Sequence, residues 1–283
     1  MKHIHDMRAR MQPLDPAPAA STGHSGPRLD LSHLAALPLR HAADCDLLGA
    51  GTDGTLYVEE IIDDGDRVVQ HIIGLDGDIR ASVDDAAPGV FAPLTLPPDA
   101  VRARSPRQTT ALNFSGPRLR GSCQDDRIQE LVQPLTMPDR MALVERLRLD
   151  VPPPHVLGLA ESYVLAEAAL TASLFVVCRR LRIAYRLDEP RHERDGTPYD
   201  YDTVTIYAAH LYDRDAGTPV SVDGQPFDDV SAALDGLPGP ALRRPMACLT
   251  LPGGRLAIAD GGDGDRVSTV HVYEWRIQLA ADG

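Results

Sequence analysis

Three histidines sit in runs of strand-forming residues rather than in loops. His71 lies in RVVQHIIGL, His210 in TVTIYAAHLY and His271 in RVSTVHVYEWRIQL. Strand alternation puts His271 on one side with Thr269, Tyr273, Trp275, Ile277 and Leu279, and His210 on the side of Val204, Ile206 and Ala208. An inward imidazole is the usual proton carrier of acid–base chemistry, and a hydrogen-bonded core histidine carries the same sequence signature. Glu59, Glu60 and Glu274 are carboxylates able to partner these rings, but spacing alone selects none of them. In VVCRRLRIAYRL, Arg180, Arg182 and Arg186 share one face. Such a row clamps a carboxylate or phosphate, or pairs with acidic residues across a sheet. His210, His271 and Arg182 are the candidate catalytic residues.

Two acidic stretches offer metal-ligand chemistry. Asp260, Asp263 and Asp265 in DGGDGD can converge on a hard cation such as Ca²⁺ from a Gly-rich turn. Their spacing is not that of an EF-hand, because Val267 stands where an oxygen ligand belongs, and a plain hairpin turn needs the same residues. The second stretch holds Glu189, His192, Glu193, Asp195, Asp200 and Asp202, a mixture of ligand and acid types on a long polar loop. His3, His5 and His24 precede the first periodic segment and read as solvated. There is no phosphate-binding loop, dinucleotide fingerprint, HExxH or GxSxG, which weakens the case for those chemistries, and the cofactor stays open.

The elements that must position these residues are legible in part. TLYVEEII, RVVQHIIGL and IRASV are separated by DDGD and DGD, and predict a β meander over 45–85. Residues 92–122 form an irregular, Pro- and Arg-rich connector. The segment 125–175 is expected to be helical: DDRIQELV, TMPDRMALVERL with Pro138 and Asp139 in its first turn, and AESYVLAEAALTASLF as a buried helix with Glu161 and Glu167 at its margin. Beyond 176 the chain reads as β-rich, with a hairpin at Asp223-Gly224, a short helix from Asp228 stopped by Gly236, and a closing pair joined by GGDGD. Residues 1–28 lack periodicity and are expected to be a disordered arm. The expected fold is α+β, one domain over 29–283, with an antiparallel sheet from both ends of the chain and the central helical segment packed on one face.

One internal echo crosses these elements. GTLYVEEIIDDGDRVVQHI from Gly54 and GRLAIADGGDGDRVSTVHV from Gly254 share Gly-x-Leu, an acidic turn and a following histidine. Two such stretches suit either a duplicated half or two hairpins with the same turn.

The totals narrow the function. At 283 residues the chain can bury a substantial core, and its net charge of −13 disfavours nucleic acid and anionic membrane as partners. Lys2 is the single lysine among 28 basic residues, a bias expected of a GC-rich genome. Cys45, Cys123, Cys178 and Cys248 show no metal or redox spacing and are expected to be free thiols in a cytoplasmic protein. The apolar window Leu159 to Cys178 contains Glu161 and Glu167, which argues against a membrane span. Two functional classes follow. The first is a binding or assembly protein acting through protein–protein contacts or homo-oligomerisation. The second is an enzyme for a small acidic substrate in a pocket lined by Arg and His, metal-assisted or not.

Overall fold

Runs of β-branched and aromatic residues between tight acidic turns make hairpins, and an isolated hairpin cannot bury its apolar face, so hairpins must stack. The computed structural model describes residues 28–62, 67–84, 94–102, 133–192 and 198–278. The expectations for the N-terminal arm, for DDRIQELV, for most of the basic connector and for Cys123 lie outside those residues.

Three antiparallel sheets form. The first runs in the order β1 (Arg28–Pro38), β14 (Thr269–Gln278), β13 (Arg255–Asp260) and β12 (Pro245–Leu251). The second runs β5 (Ile79–Asp84), β4 (Arg67–Ile73), β3 (Leu56–Ile62), β2 (Asp44–Ala50) and β6 (Val101–Arg102). The third runs β11 (Thr218–Val220), β10 (Pro198–Asp213), β9 (Leu174–His192), β8 (Val156–Ala169) and β7 (Gln133–Pro134). No helix among the described residues is long and apolar enough to cross a membrane.

This arrangement overturns the expected α+β class. Strand makes up 58% of the described residues, and the centre of the chain is not a helical layer. Within 125–175 the described α-helix is α1 (Met137–Leu147), capped by the Thr136 hydroxyl on the Asp139 amide. AESYVLAEAA, read as a buried helix, is most of β8. Its Ala, Leu and Glu favour a helix locally, but pairing with Phe175 to Tyr185 of its neighbour β9 wins. The alternation that would have betrayed a strand is hidden, because the β8–β9 register shifts between Val156 and Gly158, between Leu159 and Glu161, and between Val164 and Ala166. Each bulge resets which face the next residue takes.

The core follows from the sheet faces. One face of β9 and β10 presents Val176, Cys178, Ala209 and Leu211 to a cluster that also takes Leu47, Leu56, Val58, Leu256, Ile258 and Tyr273, so all three sheets share it. The opposite face presents Leu181, Ile183, Ile206 and Ala208 to α1 and to α2 (Asp229–Asp235), which contribute Leu143 and Val230. Asp228 caps α2 by accepting from the Ser231 amide at 2.7 Å. Asp229, in its first turn, forms an ion pair with the buried Arg179 of β9.

Candidate metal centre

The second sheet brings one carboxylate and two imidazoles to a single point. Glu60 on β3 stands opposite Val69, and His71 on β4 stands opposite Val58, so the two are diagonal neighbours on one face of the hairpin. His71 also stands opposite Ser82 on β5. Glu60 and His71 are fully buried. The His71 Nε2 lies 2.8 Å from Glu60 Oε2, and its Nδ1 lies 2.8 Å from Ser82 Oγ.

The third member comes from the connection between β1 and β2. The His41 amide donates to Glu60 Oε1 at 3.0 Å, and the His41 Nδ1 lies 2.7 Å from Oε2. That connection is fastened to the first sheet, since the Ser268 amide donates to the His41 carbonyl at 2.7 Å and the Leu39 amide to the Ser268 carbonyl at 2.8 Å. His41 keeps 29% of its side chain exposed, so the site has one open flank.

Burial pushes the Glu60 carboxyl upward, but the hydrogen bonds from His71 and His41 outweigh it and leave the group below its ordinary value. One oxygen, Oε2, faces both rings, and the potential ligand atoms of His41, Glu60 and His71 lie within 4.8 Å of one another. Two histidines and a carboxylate form a donor set suited to Zn²⁺ or a similar divalent ion. Ser82 fits both states of the site. Its hydroxyl can donate to His71 Nδ1 while Nε2–H bonds Glu60, or accept from Nδ1–H while Nε2 holds a metal. The ring can therefore change tautomer without losing a partner.

The residues singled out in the sequence fall in other places. His271 is on β14 of the first sheet, whereas His210 and Arg182 are on β10 and β9 of the third. His210 stands opposite Val177 and Arg182 opposite Thr205, which puts them on opposite faces of that sheet. His210 is fully buried beside Arg179, and neither ring nitrogen has a hydrogen-bond partner among the described residues. Arg182 donates to Thr203 Oγ1 at 2.8 Å and pairs with Glu161 at 3.4 Å. Arg186 pairs with Asp200 at 3.7 Å, and Arg180 lies 4.9 Å over the Tyr163 ring.

Asp260 is buried and separated in role from its turn neighbours. Its Oδ1 accepts from the Arg243 and Arg244 amides at 3.0 and 2.6 Å, and its Oδ2 from Arg266 at 3.1 Å. Asp263 and Asp265 are exposed on the turn. Asp200 and Asp202, read from the sequence as loop acids, are on β10, where Asp202 pairs with Arg191 at 3.3 Å and Asp200 with Arg186. Cys45, Cys178 and Cys248 are buried free thiols.

Sequence reasoning named Glu59, Glu60 and Glu274 alike as carboxylates for the strand histidines, selected none of them, and had no means to include His41. The motif RHAADCD carries no ligand spacing, and only the seating of the β1–β2 connection on Ser268 brings His41 to Glu60. In comparisons with known proteins, no family model, no curated protein and no solved structure matches this chain.

Proposed function

We propose that this protein binds one divalent transition-metal ion, Zn²⁺ being the best chemical match, through His41, Glu60 and His71. The observation that carries the reading is the convergence of both imidazoles on the single oxygen Glu60 Oε2, at 2.7 and 2.8 Å. A three-ligand set leaves a fourth position free, which is the pattern of sites where a metal-bound water or a substrate completes the shell. The partly exposed His41 ring puts that position on the solvent side. The metal-assisted enzyme raised by the sequence is thus retained, at a different set of residues.

Co²⁺ titration of the metal-free protein tests this. One equivalent should bind and give the visible absorption of a four-coordinate site. His41→Ala, on the open flank, should abolish that band while leaving the fold intact. Ser82→Ala should weaken binding about 10–100-fold, the usual cost of losing a partner behind a ligating histidine. Saturating Zn²⁺ at about 100 times its Kd should stabilise the protein by about 2.7 kcal/mol. No uptake, or uptake indifferent to His41→Ala, would remove the proposal.

Assembly through protein contacts is supported by one observation of its own. β1 is the outermost strand of the first sheet and exposes Leu34, which is 50% accessible. An edge strand with an exposed apolar residue is a template for adding a further strand.

A further inference from the structure

The sequence echo contains more than a shared turn. In the hairpin of β13 and β14, Asp260 stands opposite Thr269 and His271 opposite Ile258. That is the diagonal relation of Glu60 to His71 in the hairpin of β3 and β4. Each hairpin therefore places a buried carboxylate and a buried histidine on one face. Each pair also receives a second histidine from the N-terminal part of the fold: His41 for the first, His33 of β1 for the second.

The two sites differ in how the atoms meet. In the first, both rings address one carboxylate oxygen. In the second, the groups form a line. The His33 Nε2 lies 3.1 Å from His271 Nδ1, and the opposite nitrogen of His271, Nε2, points toward Asp260 Oδ2 at 3.8 Å. No single point faces all three groups, so a metal has no seat there.

Protons can be counted along that line. His33 also makes a hydrogen bond to the Ala35 backbone that favours the charged ring, so the carbonyl accepts. The line thus ends in an acceptor at both sides, the Asp260 carboxylate and the Ala35 carbonyl. Between them lie three links, each needing one proton: Asp260 to His271, His271 to His33, and His33 to Ala35. Two neutral imidazoles carry one N–H each. One link must stay open, and the structure shows which, because His271 Nε2 is buried without a hydrogen-bond partner among the described residues.

We infer that His33, His271 and Asp260 form a proton-binding site of unit capacity, in which one added proton, shared by the two rings, closes the 3.8 Å gap to Asp260. Closure ties β1 to β14 and β13 more tightly, since His33 belongs to the edge strand and Asp260 to the strand two places inward. A second proton is disfavoured: burial of His33 and the charge on His271 both hold His33 below its ordinary value.

The charged and titratable surroundings are consistent with one compensated cation. Arg266 and the Arg243 and Arg244 amides bind the far side of Asp260. The buried Tyr273 beside His33 on β14, Cys178 on β9 and Cys45 on β2 all feel the Asp260 charge. Burial pushes all three upward and keeps them neutral; for Cys178 the hydrogen bond with Cys248 pushes first.

Imidazole ¹⁵N NMR across pH 8 to 5 on the full chain tests this. The resonances of His33 and His271 should move in one common step, each by about half the full protonation shift. Asp260→Asn should lower the midpoint of that step by at least one pH unit, a tenfold weaker proton affinity. His33→Phe, at a partly exposed ring, removes the deficit without touching the buried carboxylate, and should lower the His271 step by a similar amount. Two independent full steps, no uptake by either ring above pH 5, or unchanged midpoints in both variants would overturn the inference.

Discussion

Glu60→Ala is expected to lower the unfolding free energy by about 3–5 kcal/mol, the range for removing one partner of a buried charged set. Glu60 is fully buried and takes the His71 ring, the His41 ring and the His41 amide. Deleting it strands buried donors and opens a cavity in the second sheet. Urea unfolding followed by circular dichroism measures the loss. It should persist in chelator, because the hydrogen-bonded network holds without an ion; a loss below about 1 kcal/mol would show the network to be dispensable.

The same residue gives an acid limb with a definite sign. Glu60 sits below its ordinary value of 4.5 in the folded protein. Its contribution is therefore fully present above about pH 4.5 and is lost as pH falls through the lower folded value. Glu60→Gln, which cannot ionise, should lack that part of the acid transition.

His210 should dominate the pH dependence at milder acidity. Burial, then the Arg179 charge, lowers its value from 6.5 to about 3. Above pH 6.5 the ring is neutral folded or unfolded, and it contributes no slope. Below that, the unfolded chain takes a proton that the folded chain refuses, so stability falls by about 1.4 kcal/mol per pH unit until the folded ring titrates. The total over the window from 6.5 to 3 amounts to several kcal/mol by order of magnitude. His210→Leu should flatten this limb. It should also stabilise the protein at pH 7 by about 1–3 kcal/mol, since two buried nitrogens without partners among the described residues are replaced by apolar volume. Unfolding curves at pH 7, 6, 5 and 4 for both proteins decide it. An unchanged slope in the variant would mean that His210 is protonated in the fold. A neutral His210 that refuses protons cannot serve as a proton shuttle, so this experiment also bears on its candidacy as a catalytic residue.

The site was half legible. Glu60, His71, Asp260 and His271 all lie in the two echoing hairpins, which strand alternation and the short acidic turns disclose, but the pairing of each carboxylate with its histidine came from the register. His41 and His33 were not legible. They arrive through β1 and its connection to β2, and β1 pairs with β14, at the far end of the chain. RLDLSHLAALP carries no turn signal and no clean alternation, and its register shifts between His33 and Ala35. The helical expectation for AESYVLAEAA failed for a related reason, since bulges erased the period on which the reading depends.

Local chemistry in the sequence determined the hairpins of the second sheet, the closing hairpin and the two capped helices, because each rests on turn residues, capping residues or apolar runs close together in the chain. What joined them was decided only by the tertiary structure. Which carboxylate meets which histidine, and whether two rings share one oxygen or line up in series, depends on contacts such as those of Ser268 with His41 and of His271 with His33. These are separated by more than two hundred residues. Their specificity comes from sheet register and core packing, which bury the groups together and make every unpartnered polar atom costly. No local pattern encodes that cost.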